Sequence, residues 1–366
     1  MSGRLLVAAA CAAALLGANV TTAHATTAQA EVVRTSLQVA GKPFFPVMLL
    51  DQCDAAATAR ARTLGVNLIL NESCPGVSPQ GQLGLLAGRQ LGVLPIQARG
   101  SSGSRLAGWT YPDEPENNGW TPAKLARAFP YARGSSDGLV SFVTTTSAFF
   151  RPPYRDRRIS PATVRGFARL ADIAGFDLYP LNHCQSDLAS VYDAQRAFVR
   201  LVGGMPTFQW IETGPLDPSY CGGFRMTPAE LRAEAWLAVV GGARGIGFFT
   251  QTVEPASTYS VAPDVEHAIQ RFSSLAAAVQ PGLVGATIPS GANSPAIKVL
   301  ARSAPGSTYV FGVNSLTQPV RVQVEVPNLA NGRLRVFGEH RTVTVSNHRF
   351  VDLFTPLAVH VYVQDR

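Results

Sequence analysis

From Phe44 to about Gln251 one pattern recurs along the chain: a short apolar run rich in β-branched and aromatic residues, then a polar residue, then apolar positions at helical spacing. The runs are FFPVMLL (44–50), NLIL (67–70), GVLPIQ (92–97), LAGWTY (106–111), LVSFVTT (139–145), GFDLY (175–179), PTFQWIE (206–212) and GIGFFTQ (245–251). Strands that alternate with helices imply a parallel sheet, and eight repeats over about 250 residues match a closed (β/α)₈ barrel of the TIM type. An open doubly wound sheet fits less well, because no glycine-rich phosphate loop follows the first run.

Helix boundaries support the alternation. TPAELRAEAWLAVVGGARG places Thr227 at the N-cap, Pro228 at the first helical position and Glu230 where it closes a capping box, and Gly241 and Gly242 stop the helix. SPATVRGFARLADIAG (160–175) repeats the device with Ser160 and Pro161. Only ARGSSGSR separates the third and fourth runs, too short and glycine-rich for an ordinary crossover helix. A last helix, DVEHAIQRFSSLAAAVQ (264–280), precedes a break at Pro281-Gly282. Beyond it AIKVLARS, TYVFGVNS, VRVQVEV, GRLRVFG, RTVTVSN and LAVHVYVQ alternate apolar and polar residues between turn residues, which reads as an antiparallel β-sandwich. The expected division is therefore a barrel over 31–282 and a β-sandwich over 283–366, the latter bracing the barrel.

Residues 1–30 read as a signal peptide: Arg4, an apolar stretch from Leu5 to Ala18, then the small-residue sites AHA ending at Ala25 and AQA ending at Ala30. Cys11 lacks the aliphatic residue three positions earlier that a lipoprotein signal needs, since Ala8 stands there. No later stretch is long and apolar enough for a membrane helix, so a secreted or periplasmic protein with no membrane attachment after cleavage is expected. Removing Arg4 takes the net charge from +7 to +6, and the 31 Lys and Arg are spread along the chain. That scatter, with no aromatic-interleaved basic run, argues against nucleic acid. Charged residues are only 15% of the chain against 46% hydrophobic ones, ample for a core. Four cysteines remain, Cys53, Cys74, Cys184 and Cys221, an even number suited to an oxidising compartment. The first two follow adjacent strands one and two and the others adjacent strands six and seven, so Cys53–Cys74 and Cys184–Cys221 are the pairings within reach.

Barrel enzymes carry their chemistry where strands end. Those positions hold Asp51, Asn71 and Glu72, Arg99, Asp113 and Glu114, Thr144 to Thr146, Asp177, Tyr179 and His183, Gln209, Trp210 and Glu212, and Gln251. No metal-ligand spacing, no G-x-S-x-G elbow and no strand-end Lys appears among them, so no metal or cofactor is expected. Glu114 and Glu212 stand 98 residues apart, close to three βα units. Two carboxylates facing across a barrel mouth suit glycoside hydrolysis, with Trp109, Tyr111, Tyr179 and Trp210 available to stack on sugar faces. Asp51, Glu72, Asp113, Asp177, His183 and Gln251 complete the expected substrate-binding set, and Glu116 reads as a solvated loop acid.

With GWTYPDEPE, FDLYPL, QWIETG and TPAELRAEAWLAVVGGARGIGFF in place, the chain resembles the retaining glycoside hydrolases of the (β/α)₈ clan known as clan A, from GKPFFPVMLLDQC to LFTPLAVHVYV. In that clan the acid/base ends strand four and the nucleophile ends strand seven, commonly with a β-sandwich behind. The resemblance implies Glu114 as acid/base, Glu212 as nucleophile, a covalent glycosyl-enzyme intermediate, and an oligo- or polysaccharide as partner of a monomer. Two positions depart from the clan: Asp113 stands where an Asn ordinarily precedes the acid/base, and the eighth run ends in Phe249 and Gln251 rather than a tryptophan. A degenerate barrel that binds carbohydrate without cutting it is the alternative, and a structural protein working through the β-sandwich is a third reading.

Overall fold

The computed structural model describes residues 28–131, 133, 138–217, 221, 223–252 and 259–365. Residues 1–27, which hold most of the expected signal peptide with Arg4 and Cys11, lie outside them, as do residues 218–220 and 222 of the insert around Cys221. Strands β1 (Ala30–Val33), β2 (Ser36–Val39) and β3 (Lys42–Phe44) form a small antiparallel sheet. Strands β4 (Val47–Leu50), β5 (Leu68–Leu70), β6 (Leu91–Pro95), β7 (Leu106–Thr110), β8 (Val140–Thr145), β9 (Ile173–Asp177), β10 (Thr207–Glu212) and β11 (Gly245–Phe249) pair in parallel and close into a barrel. The eight apolar runs of the sequence are these eight strands.

Side chains that alternate inward fill the barrel: Met48, Leu68, Leu70, Val93, Phe142, Ile173, Phe208 and Trp210 pack together. Phe208 and Trp210 occupy so much of it that glycine is required opposite them; a Cβ on Gly175 or Gly247 would sit 2.2 Å from their rings. The β1–β3 sheet closes the N-terminal end of the barrel, a lid the sequence reading did not anticipate. Ala28 donates its N–H to Leu106 O, Ala30 donates to Gly138 O, and both side chains are buried with Leu37 against the barrel interior. The fold therefore begins before residue 31.

Around the barrel lie α1 (Ala55–Thr63), α2 (Pro79–Leu85), α3 (Pro122–Ala128), α4 (Pro161–Ala168), α5 (Ala189–Val202), α6 (Pro228–Gly241), α7 (Pro263–Ala278) and the short α8 (Gln280–Val284). Between β6 and β7 a single 3₁₀ turn, Ile96–Ala98, stands where a crossover helix is usual, as the short glycine-rich link implies. The capping box of α6 is made by both the Thr227 and the Glu230 side chains, and Gly242 ends the helix at φ 113°. In α4 the Ser160 and Pro161 start is as read, but the helix stops at Ala168 and β9 begins at Ile173, earlier than the run 175–179. Pro281 and Gly282 sit inside α8 rather than breaking the chain, since proline is tolerated in a first helical turn.

The C-terminal part is a β-sandwich of a six-stranded sheet, β12 (Ala286–Ile288), β14 (Ile297–Ala304), β15 (Ser307–Asn314), β20 (Val359–Asp365), β17 (Gly332–Val336) and β18 (Arg341–Val345), and a three-stranded sheet, β13 (Gly291–Ala292), β16 (Val320–Glu325) and β19 (Arg349–Phe354). β12, β13 and β19 were not foreseen. The sandwich shares the barrel's outer core: Phe311 on β15 stacks on the fully buried Trp236 of α6 at 5.8 Å, beside Leu300, Val313 and Val361. Among the described residues no helix is long and apolar enough to cross a membrane.

Candidate active site

Five acids converge at the C-terminal mouth of the barrel, from the ends of β4, β5, β7 and β9. Asp51 has φ 45° and turns its carboxylate onto the next strand end, accepting the Glu72 N–H at 2.6 Å and the Ser73 N–H at 3.0 Å. The disulfide Cys53–Cys74, with Cα atoms 5.2 Å apart, ties the same two loops. Glu114, at φ 38°, is half-buried and accepts from the Asn117 amide at 2.9 Å. The charge of Glu114 also bears on the neighbouring Asp177 carboxyl.

Burial and mutual repulsion govern this cluster. Burial first, then the charges of Asp113 and Asp51, holds Glu72 well above the ordinary glutamate range. Its Oε1 has no hydrogen-bond partner among the described residues. Asp177 is pushed well up by burial and then by Glu114 and Asp113, and Asp51 is raised mainly by burial. Asp113 opens to solvent on one side, yet the protein crowding its carboxyl, followed by the charge of Glu114, raises it to about 7. Burial and like charge together favour the protonated forms of Glu72, Asp113 and Asp177. Tyr179 is buried at the base of the cluster, 5.9 Å from Phe249, with its hydroxyl held in the neutral form by burial and by Asp177.

Glu212 lies apart from this group in its contacts. It ends β10 with no exposed surface, its Oε1 accepting the Leu181 N–H at 2.8 Å and its Oε2 the Asn182 N–H at 3.0 Å and the Asn182 side-chain amide at 2.6 Å. These donors belong to the 3₁₀ turn Leu181–His183 that follows β9, which the disulfide Cys184–Cys221 also secures. Burial raises the Glu212 carboxyl to about 7 against the opposing effect of these bonds. Glu234 on α6, fully buried, neighbours it and is raised well above the ordinary range by burial and then by Glu212. Sequence reasoning passed over Glu234; the available signal was one acid inside a helix that is apolar all round, AEAWLAVV.

Four expected binding residues are placed elsewhere. A β-bulge where β6 meets β7 inserts Ala107 as an extra inward residue, which turns Trp109 and Tyr111 outward into the layer under the helices. Trp109 is 3% exposed, and Tyr111 gives its hydroxyl to Leu170 O at 3.3 Å. Neither has a face toward the cleft, so stacking on sugar by these two is withdrawn. Trp210 is 3% exposed inside the barrel and donates to Thr144 Oγ1 at 3.2 Å, which removes it too. His183 is exposed, but its Nδ1 bonds Tyr179 O at 2.9 Å and its ring meets Tyr154 edge-on, so it fastens the turn. Glu116 is not a solvated acid: it is half-buried and accepts the Thr146 N–H at 2.5 Å, tying the loop after β7 to that after β8. Gln251 reaches Asp51 O at 3.4 Å and, with Asp51, Arg60 and Tyr259, lines a cavity of about 530 Å³ beside the cluster. Arg99 lies away from the mouth, against Pro130 O and the Tyr131 ring. Among the described residues no group of three or more His, Cys, Asp or Glu is arranged to hold a metal ion.

The architecture recurs among solved glycosidases. The chain superimposes on a glycoside hydrolase family 5 protein from Bacteroides vulgatus with a TM-score of 0.57 and 10% identity, covering 93% of this chain and 94% of that one. A GH30 endoxylanase from Clostridium papyrosolvens gives 0.52 and 9%, covering 93% and 99%. An α-amylase from Geobacillus thermoleovorans gives 0.54 and 9%, covering 88% and 98%. The fold is that of glycoside-hydrolase (β/α)₈ barrels. No protein-family model and no curated protein matches the sequence.

Proposed function

We propose that the protein is a glycoside hydrolase in which Glu114 delivers a proton to the glycosidic oxygen. The observation that best supports this is the convergence of Asp51, Glu72, Asp113, Glu114 and Asp177 on one open face, where burial and mutual repulsion raise Glu72, Asp113 and Asp177. A general acid needs a proton kept at working pH in a place a leaving group can reach, and crowded, part-buried carboxyls supply it. The substrate on this reading is an oligo- or polysaccharide, and no cofactor takes part.

For the stereochemical course we propose retention, with Glu114 as acid/base and Glu212 as nucleophile at the ends of the fourth and seventh barrel strands. This assignment carries a requirement: the Leu181–Asn182 turn must release one Glu212 oxygen to the anomeric carbon. The zero exposure of Glu212 favours a second arrangement, in which Asp113 is the second carboxylate and Glu212 only holds the turn. The deciding experiment uses Glu114→Gln, Glu212→Gln and Asp113→Asn with aryl glycosides and polysaccharides, following the anomer released by NMR. Loss of turnover in Glu114→Gln and Glu212→Gln with a retained anomer supports the first assignment; loss in Glu114→Gln and Asp113→Asn, with Glu212→Gln active, supports the second. Binding of a glycan without turnover by the wild type overturns both in favour of a carbohydrate-binding barrel.

Secretion as a monomer belongs to the same proposal. Cleavage after Ala25 fits the fold and cleavage after Ala30 does not, because Ala28 and Ala30 are bonded into the barrel floor.

A further inference from the structure

At the end of the barrel opposite the acids, a cleft of about 770 Å³ lies between the β1–β2 turn, the ends of α5 and α6, and β12–β14 of the sandwich. Its charged lining is Arg34, Arg196 and Arg244, and among the described residues no carboxylate lines it. Directly behind Arg244 is Arg302 on β14, with no exposed surface. One Arg302 nitrogen, Nη2, reaches Ala243 O at 3.4 Å; Nε and Nη1 are buried without a hydrogen-bond partner among the described residues. Arg244 donates Nη1 to Leu283 O and Gly285 O, both at 2.9 Å. None of the four arginines forms an ion pair among the described residues, unlike Arg151, Arg158, Arg225, Arg341 and Arg349 elsewhere.

A buried cation with unsatisfied N–H groups is among the costliest arrangements a fold can hold, and adjacent like charges add to the cost. An anion in the cleft, paired with Arg34, Arg196 and Arg244, relieves the repulsion between Arg244 and the buried Arg302 behind it. We propose that this cleft binds an oxyanion, either a free ion such as phosphate or the carboxylate or sulfate groups of an acidic glycan. Planar guanidinium groups pair bidentately with such oxygens, and the volume admits more than one of them. The site is independent of the acidic mouth, which repels the same ligands.

The test uses the intact protein at constant ionic strength. Thermal unfolding is followed in sodium phosphate or sulfate against chloride, and mobility is followed in gels containing polygalacturonate, dextran sulfate or neutral dextran. The variants are Arg34→Ala/Arg196→Ala, in which both side chains are exposed at the cleft, and a charge-matched control on the sandwich, Arg321→Ala/Arg333→Ala. The expected result is an oxyanion-specific rise in Tm, with apparent affinity at least tenfold weaker in Arg34→Ala/Arg196→Ala and within twofold of wild type in the control. Arg302→Met, which removes the charge behind Arg244, is expected to fold and to weaken the phosphate response. Retardation by polygalacturonate or dextran sulfate that phosphate competes away identifies a glycan as the source; a phosphate response without retardation identifies the free ion. Equal weakening in the two double variants, or no difference between phosphate and chloride, overturns the proposal.

Discussion

Replacing Glu212 by Gln tests the electrostatics of the buried carboxyl through the pH dependence of stability. The carboxyl is fully buried, and burial outweighs its three N–H donors enough to raise it from 4.5 to about 7. An acid raised on folding contributes stability that is fully present below its unfolded pKa and is lost as pH rises through the folded pKa. For these two values the loss between pH 5 and pH 8 is about 2.5 kcal/mol, at about 1.4 kcal/mol per pKa unit. Gln has the same shape and does not titrate. Urea unfolding at pH 5 and pH 8 should therefore show a fall in wild-type stability that is about 2.5 kcal/mol larger than in Glu212→Gln. Glu234 is raised mainly by burial, which the substitution leaves in place. Identical pH dependence in the two proteins would refute the argument, and a larger fall in Glu212→Gln would reverse its sign.

Other consequences are equally direct. Glu114→Gln should lower turnover by about 10² to 10⁴-fold while leaving Tm near wild type, as expected for loss of a general acid; an unaffected rate removes Glu114 from the chemistry. Asp113→Asn should remove an ionisation at about 7 from the pH–rate profile. Cys184→Ser/Cys221→Ser opens a link across 37 residues and should cost about 4 kcal/mol by loop-closure entropy; a loss under 1 kcal/mol contradicts that account. Gly247→Ala forces a Cβ to 2.2 Å from the Trp210 ring and should destabilise by about 1–3 kcal/mol or more, read as a drop in Tm.

Local patterning in the sequence is enough to establish the barrel, because each βα unit carries its own signal: a run such as PTFQWIE buried on both sides, a Thr227–Glu230 cap, a Gly242 stop. It also sufficed for both disulfides, since neighbouring strands put their following loops within reach of each other. The strand-end rule located the acids of the mouth for the same reason, as chain direction fixes which end of every strand shares that face. β19 is not legible because RFVDLF follows a single two-residue turn at Asn347 and His348 and its half-exposed pattern, with Leu353 outward, is weak.

What tertiary structure alone decided is the direction and protonation of each side chain. One inserted residue at Ala107 turns Trp109 and Tyr111 out of the cleft, and no periodicity in LAGWTY announces it. Whether Glu212 meets solvent depends on a turn 30 residues earlier, and whether Glu116 is solvated depends on Thr146, 30 residues later. The burial of Glu234 and Arg302 likewise depends on elements distant in sequence, the sandwich among them. Composition and spacing determine which groups a strand end offers; desolvation and pairing, which act only between segments brought together by folding, determine what those groups can do.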